Sequence, residues 1–352
     1  MSQPWTIDEL RGRAATLPRV DLCHLPTPVD ELERFAAELG GGVRVLAKRD
    51  DLTGPALGGN KLRKLEFSLG RARQQGCDVI VHGLAGQSNY CRQAAAAAAM
   101  LGLRCVLVLR NDAKCEDPAQ GNRLLDFVFG ADVRMVEPAL QEQAKAQVVE
   151  QLQDQGHKPY LVGRDDEVLG AVAYALALCE IIEQLGDAPQ CICVGGNAGT
   201  GAGLVLGARL LGLATEVIAY APSPRDEPQV RDDVAGLVND AARLLGAELN
   251  VTAAEIDNTN RHAGEAYAVP TEAGMDALRL LARTQGLLVG PVYTAKALAG
   301  MIEDIRRGRI KAGSTAVFLH TGGVPEVFTY HGEIIDHLGE NPALRFAQDG
   351  RY

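Results

Sequence analysis

The stretch Cys77-Asp78-Val79-Ile80-Val81-His82-Gly83-Leu84-Ala85-Gly86-Gln87-Ser88-Asn89-Tyr90 decides the fold class. Its apolar run, Cys77–His82, has the length of a strand. Glycines break the run, and Ser88 or Asn89 then caps an alanine-rich helix through Leu101. A second apolar strand, 103–109, follows at once. Strand, helix and strand at this spacing predict parallel pairing through a helical crossover. The alternation continues downstream: helix 119–129, strand 131–136, helix 139–154, strand 158–162, a long apolar helix 168–185, strand 190–194, a helix to Leu211, strand 215–221 and a helix near 228–245. Helices at 271–285 and 294–307, a strand at 314–320 and a helix after Pro325 complete it. Upstream lie an N-terminal helix, the segment Leu25-Pro26-Thr27-Pro28, a helix from 30 to 39 and a strand Val43–Lys48. The predicted fold class is α/β, with two interwoven lobes of open, mainly parallel sheet flanked by helices. Residues 1–61 and 166–352 are assigned to a large domain and 62–165 to a small one. The cleft between them is the expected ligand site.

Composition narrows the function. The 352 residues are 47% hydrophobic and carry a net charge of −10 without a basic run, which argues against a nucleic-acid partner and for a small-molecule one. No stretch reaches eighteen uncharged apolar residues and the N-terminus carries Asp8 and Glu9, so neither membrane insertion nor secretion is signalled. The eight cysteines show no paired Cys-x-x-Cys spacing, so no metal site is expected, and they read as reduced thiols of a cytoplasmic protein.

Just before the regular region stands Ala56-Leu57-Gly58-Gly59-Asn60-Lys61-Leu62-Arg63-Lys64-Leu65-Glu66-Phe67. The glycines let backbone approach a ligand, Asn60 can hydrogen-bond its edge, and Lys61 falls in the first turn of a helix. A helix N-terminus and any desolvation disfavour the ammonium form and leave the neutral amine that Schiff-base chemistry needs. We read Lys61 as an anchor for pyridoxal phosphate; the alternative is an exposed lysine after a glycine turn.

Three further constellations bear on that reading. Val194-Gly195-Gly196-Asn197-Ala198-Gly199-Thr200-Gly201-Ala202-Gly203 follows a strand and opens a helix, so its amides and the Thr200 hydroxyl can cup a phosphate. Its spacing fits neither the dinucleotide nor the Walker pattern, and tight strand-to-helix packing is the alternative. Ser88 and Asn89 cap a helix in either case, and the same geometry can hold an amino-acid carboxylate. Near the C-terminus stand Tyr267, the segment Gly290-Pro291-Val292-Tyr293-Thr294, and His320-Thr321-Gly322-Gly323 at a strand end, where ligand-facing residues gather. Each tyrosine also reads as packing, and His320 as a core histidine.

Together these stretches resemble the fold-type II pyridoxal-phosphate enzymes, in the branch of D-cysteine desulfhydrase and 1-aminocyclopropane-1-carboxylate deaminase. The resemblance is carried by Lys48-Arg49-Asp50-Asp51-Leu52-Thr53, Gly58-Gly59-Asn60-Lys61, Arg63-Lys64-Leu65-Glu66, Gln87-Ser88-Asn89, the glycine loop, Tyr267-Ala268-Val269-Pro270, Pro291-Val292-Tyr293 and His320-Thr321-Gly322-Gly323, in family order. It implies pyridoxal 5'-phosphate as cofactor, bound covalently to Lys61. It further implies Asn89 on the phenolic oxygen, residues 196–200 (Gly196, Asn197, Ala198, Gly199, Thr200) on the phosphate, and Asn60 and Thr321 beside the cofactor. Ser88 is implied at the substrate carboxylate, Tyr293 and Tyr267 at the reacting carbon, and a homodimer in solution. Thr294 stands where the deaminases carry a glutamate facing the pyridine nitrogen and is similar to the desulfhydrases. Tyr90-Cys91 follow Ser88-Asn89 where relatives show histidine or glutamine, Asn197-Ala198 interrupt the loop, and Gly290 replaces a common aspartate. The implied activity is β-elimination on a small amino acid, D-cysteine first, to pyruvate, ammonia and sulfide. The alternatives are 1-aminocyclopropane-1-carboxylate deamination, L-cysteate desulfonation or racemisation. A non-catalytic pyridoxal-phosphate or amino-acid binding protein is the reading from another class.

Overall fold

The computed structural model describes residues 3–196, 198–225 and 227–339. Asn197, one of the residues expected at the phosphate, lies outside the described residues. Ten strands form two sheets. The first contains β1 (Val29–Glu31), β2 (Arg44–Lys48), β7 (Cys191–Gly195), β8 (Glu216–Tyr220), β9 (Asp257–Thr259) and β10 (Thr315–Leu319), in the order β1-β2-β10-β7-β8-β9. All of its pairs are parallel except β1 with β2. The second contains β3 (Val79–His82), β4 (Arg104–Arg110), β5 (Asp132–Val136) and β6 (Pro159–Leu161), in the order β5-β4-β3-β6 and wholly parallel. The α/β class with mainly parallel sheets is therefore observed.

Helices cover both sheets: α1 (Ile7–Ala14), α2 (Glu33–Leu39), α3 (Lys61–Gln74), α4 (Asn89–Met100), α5 (Gly121–Val128), α6 (Gln141–Asp154), α7 (Arg164–Leu185), α8 (Gly199–Leu210), α9 (Glu227–Leu244), α10 (Glu272–Gln285), α11 (Thr294–Arg306), α12 (Pro325–Thr329) and α13 (His331–Leu338). α3 ties the sheets together. Phe67 packs into the core around α7 and α8, whereas Leu62, Leu65 and Leu69 pack beneath the four-stranded sheet with the alanines of α4. By length and hydropathy α7 could cross a membrane, yet its first turn holds Asp165, Asp166 and Glu167 and most of its side chains lie in the core. It meets α8 at Gly203, where a Cβ would stand 2.3 Å from the Ala171 carbonyl. No larger residue fits that crossing.

Three boundaries differ from the sequence reading. Val29–Glu31 pairs antiparallel with β2, helped by Arg44 donating to Glu31 at 2.9 Å, so α2 starts at Glu33 rather than 30. α7 starts at Arg164 rather than 168 because Asp166 accepts the Gly163 amide at 2.7 Å and the acidic first turn suits the helix dipole. β9 is an Asp-Asn-Thr segment that strand propensity disfavours; pairing with the exposed edge of β8 imposes it.

Candidate active site

Lys61 is the first residue of α3, and the chain reaches it through four residues at positive φ, Ala56, Leu57, Gly58 and Gly59. Gly59 is at +128°, and a Cβ there would meet Gln93 Nε2 at 2.5 Å. Its amide donates to the Asp50 carbonyl at 2.9 Å and to Thr53 Oγ1 at 2.8 Å. From α4, Gln93 Oε1 accepts the Leu62 amide at 3.0 Å and Arg92 donates to the Gly58 carbonyl at 3.0 Å. The lysine turn is therefore clamped from both sheets.

The Lys61 side chain enters a cavity of about 380 Å³ and finds no hydrogen-bond or ion-pair partner among the described residues. Its Nζ stands 5.5 Å from the centre of the Tyr90 ring. Burial and the nearby charge of Lys64 bring its pKa down to about 7, against the opposing pull of Glu167. Capture of an aldehyde needs the neutral amine. The rate at which cofactor-free protein takes up pyridoxal phosphate should therefore climb with pH to about 7 and flatten above it. Stopped-flow absorbance across a pH series measures this; a rate still climbing toward the ordinary lysine value of 10.5 would contradict the environment described.

The glycine loop lines the same cavity through Gly195, Gly196, Ala198 and Thr200. Gly196 has φ +92°, and a Cβ there would meet no atom closer than 3.9 Å, so backbone faces open space. The cap residue of α8, Ala198, supplies no side-chain cap. Asn60 Nδ2 donates to Thr200 Oγ1 at 2.9 Å, which leaves the threonine its own proton to donate. An anion already sits at the edge of this cup: Glu167 Oε2 accepts from the Gly199 amide at 2.7 Å and from Lys64 Nζ at 2.6 Å. Burial would raise the Glu167 pKa, but Lys64, Lys61 and that amide hold it down to about 2. A helix start, a threonine hydroxyl and two lysines in one wall fit an anionic phosphate. The free amine of Lys61 fits the aldehyde of the same cofactor.

Ser88 and Asn89 form the opposite wall. Ser88 Oγ accepts the Tyr90 and Cys91 amides at 3.2 Å each, so it is the cap of α4 and retains a hydroxyl proton for a ligand. Asn89 accepts from Asn122 Nδ2 at 3.0 Å and donates to the buried carboxyl of Glu326. Tyr267 and Tyr293 both line the cavity. The Tyr293 and Tyr267 hydroxyls share a hydrogen bond at 2.9 Å, with the rings edge to face and 5.7 Å apart. Burial raises both phenols, Tyr293 to about 12 although its bond to Tyr267 opposes this, so both are phenols at neutral pH.

Thr294 is 1% exposed and lies outside the cavity wall; its hydroxyl is engaged with the Gly290 amide at 2.7 Å and the carbonyls of Gly290 and Gly322. Thr321 does line the cavity. His320 is a core histidine: one ring nitrogen donates to the Leu288 carbonyl at 2.9 Å while the other accepts the Gly322 amide, and burial lowers its pKa. Sequence reasoning did not single out Lys64, Glu167, Arg110, Asn122 and Glu326 as parts of the site. Lys64, one turn beyond Lys61 in a helix that enters the cavity, carried the only usable signal.

The fold and this site define the class. The sequence pattern of the pyridoxal-phosphate dependent enzymes matches residues 20–322, and the chain belongs to that family, of fold type II. Among solved structures it is similar to one described as an ACC deaminase homologue, at 31% identity and a TM-score of 0.85, over 94% of this chain and 99% of that one. At 18% identity and a TM-score of 0.63 it also shares its fold with a lysine-to-alanine mutant of O-ureido-L-serine synthase bound to O-ureido-L-serine, over 96% of this chain and 98% of that one.

Proposed function

We propose that the protein is a pyridoxal-phosphate lyase that removes a β-substituent from a small amino acid, D-cysteine first, releasing pyruvate, ammonia and sulfide. The observation that carries this reading is Lys61, an amine with no hydrogen-bond or ion-pair partner among the described residues and a pKa of about 7, in one cavity with the start of α8 and a tyrosine pair. The cofactor, when bound, supplies an electron sink for the bond broken at the substrate Cα. The phosphate is assigned to Thr200, the backbone at 196 and 198–199, and Lys64; the ring edge is assigned to Asn89, Asn60 and Thr321. Lys61, displaced by the substrate amine, is the base that takes the Cα proton. Ser88 orients the substrate carboxylate through its hydroxyl. Tyr293, kept protonated and steadied by Tyr267, donates toward the leaving group.

Ring-opening deamination of 1-aminocyclopropane-1-carboxylate is the second reading, favoured by the 31% identical structure described as an ACC deaminase homologue. The threonine at 294, where the deaminases carry a glutamate, favours elimination: no carboxylate stands at that position to keep the pyridine nitrogen protonated. Purified protein loaded with cofactor should release sulfide and pyruvate from D-cysteine; 2-oxobutyrate from the cyclopropane substrate would select the second reading. Neither product from either substrate would overturn both. In the active reaction Tyr293→Phe should lower kcat by about 10²- to 10⁴-fold with little change in KM, the span of a lost general acid.

A further inference from the structure

We propose that Glu326 is a positioning residue whose carboxylate fixes the Asn89 side-chain amide with an N–H, and not its oxygen, facing the cavity, which commits that wall to an acceptor oxygen on the ligand. The inference rests on the reading above in which Asn89 meets the cofactor ring.

Asn89 is held at both ends. Its oxygen accepts from Asn122 Nδ2 at 3.0 Å, and Asn122 Nδ2 also donates to the Gln87 carbonyl at 2.9 Å. Its nitrogen donates to Glu326 Oε1. An amide nitrogen can only donate and an ionised carboxylate can only accept, so with Glu326 ionised, above a pH of about 7, these two neighbours permit one orientation. One hydrogen of Asn89 Nδ2 is left over, on a side chain that lines the cavity. Without the carboxylate only the Asn122 bond opposes a turn that brings the Asn89 oxygen inward, where it would repel an acceptor.

Glu326 is expensive to keep. It is the second residue of α12, is 2% exposed and has no ion-pair partner among the described residues. Burial raises its pKa to about 7 although Asn89, the Val292 amide at 3.3 Å, Arg92 and Lys296 all oppose the rise. Gly290 makes room for it: a Cβ there would lie 2.5 Å from Glu326 Oε2. The same carboxylate thus joins Asn89 to the backbone one residue before Tyr293.

The test is a double-mutant cycle on cofactor binding. Cofactor-free wild type, Asn89→Ala, Glu326→Met and the double variant are titrated with pyridoxal phosphate, reading the apparent Kd and the absorption maximum of the complex, with the melting temperature of each cofactor-free protein. Each single change should weaken binding about tenfold, the worth of one hydrogen bond, and the double should be no weaker than Asn89→Ala. Glu326→Asp, which keeps a carboxylate on the same element, should retain more of the affinity and of the wild-type absorption maximum than Glu326→Met. Weakening of about a hundredfold in the double, or wild-type affinity in Glu326→Met while Asn89→Ala is impaired, would overturn the inference alone. Wild-type affinity in Asn89→Ala would overturn the reading on which it rests. If Glu326→Met fails to fold, Glu326→Asp decides: a folded protein nearer to wild-type affinity than Asn89→Ala supports the assignment, and a folded protein as weak as Asn89→Ala refutes the assignment.

Discussion

Replacing Lys61 by alanine should remove the visible absorbance band of the cofactor-loaded protein and lower turnover by about 10³-fold or more, while leaving the fold intact. The structure makes this a sharp expectation because the other buried amines are committed. Lys48 is fully buried and donates to the Thr27 carbonyl at 2.8 Å, to Gln184 at 2.8 Å and to Glu180 at 3.0 Å. Lys64 is held by Glu167 at 2.6 Å, and Lys296 donates to the carbonyls of Pro222, Ala263 and Ala266. Lys61 alone among them faces the cavity without a hydrogen-bond or ion-pair partner among the described residues. Its burial favours a neutral amine, so truncation deletes a nucleophile without stranding a partner charge. Melting temperature should therefore change little while the spectrum changes completely. Retention of the band at wild-type intensity would move the covalent anchor to Lys64, the next amine in the wall, and would end the assignment.

How much of this was legible beforehand depends on whether chemistry was contiguous in the chain. Gly58-Gly59-Asn60-Lys61, Ser88-Asn89 and the loop around Thr200 each join a strand or turn to a helix start within a few residues, so local pattern exposes both the geometry and the reactive group. The alternation of strand and helix exposed the sheets for the same reason. What sequence could not show is charge assembled across distance. Glu326 reaches Asn89 across 237 positions, and Glu167 reaches Lys64 across 103. In the sequence the first is an acid after a proline, and the second completes an ordinary acidic helix start. Thr294 shows the same limit: its position implies a cofactor contact, and the partners of its hydroxyl, the Gly290 turn and the Gly322 carbonyl, are not visible in the pattern. Pattern locates backbone, while the destination of a side chain is settled by neighbours that pattern does not contain.

The largest effect on stability should come from Asp50, one turn of chain away from the lysine. Asp50→Ala is expected to destabilise the protein by about 3–5 kcal/mol, the range for breaking a buried ion pair by removing one partner. Asp50 is fully buried and accepts from Arg63 Nε and an Arg63 NH2 group at 2.9 Å each, from Thr27 Oγ1 at 2.8 Å and from Tyr174 at 2.6 Å. Arg63 also reaches Glu180, at 2.7 and 2.9 Å, and Glu180 accepts from Lys48. Two cations thus face two carboxylates, and removal of Asp50 leaves one positive charge uncompensated in the core. Burial pushes the Asp50 carboxyl up, but Arg63, Tyr174 and Lys48 more than reverse this and hold it below the ordinary value of 3.8. A carboxyl depressed by folding contributes stability above its unfolded pKa and loses it as pH falls through the folded one, so this contribution is complete at neutral pH and fades in acid. The variant should therefore lose most at neutral pH and show a flatter acid limb in urea midpoints measured over a pH series. The same change should weaken cofactor binding, because the Asp50 backbone carbonyl receives the Gly59 amide and Tyr174 bridges from Asp50 toward the Asn60 carbonyl, at 3.4 Å. Removing Arg63 together with Asp50 should cost less than the sum of the single changes, since neither charge is then stranded. A loss below about 1 kcal/mol for Asp50→Ala, or full additivity in the pair, would mean that packing rather than this charge cluster holds the lysine turn in place.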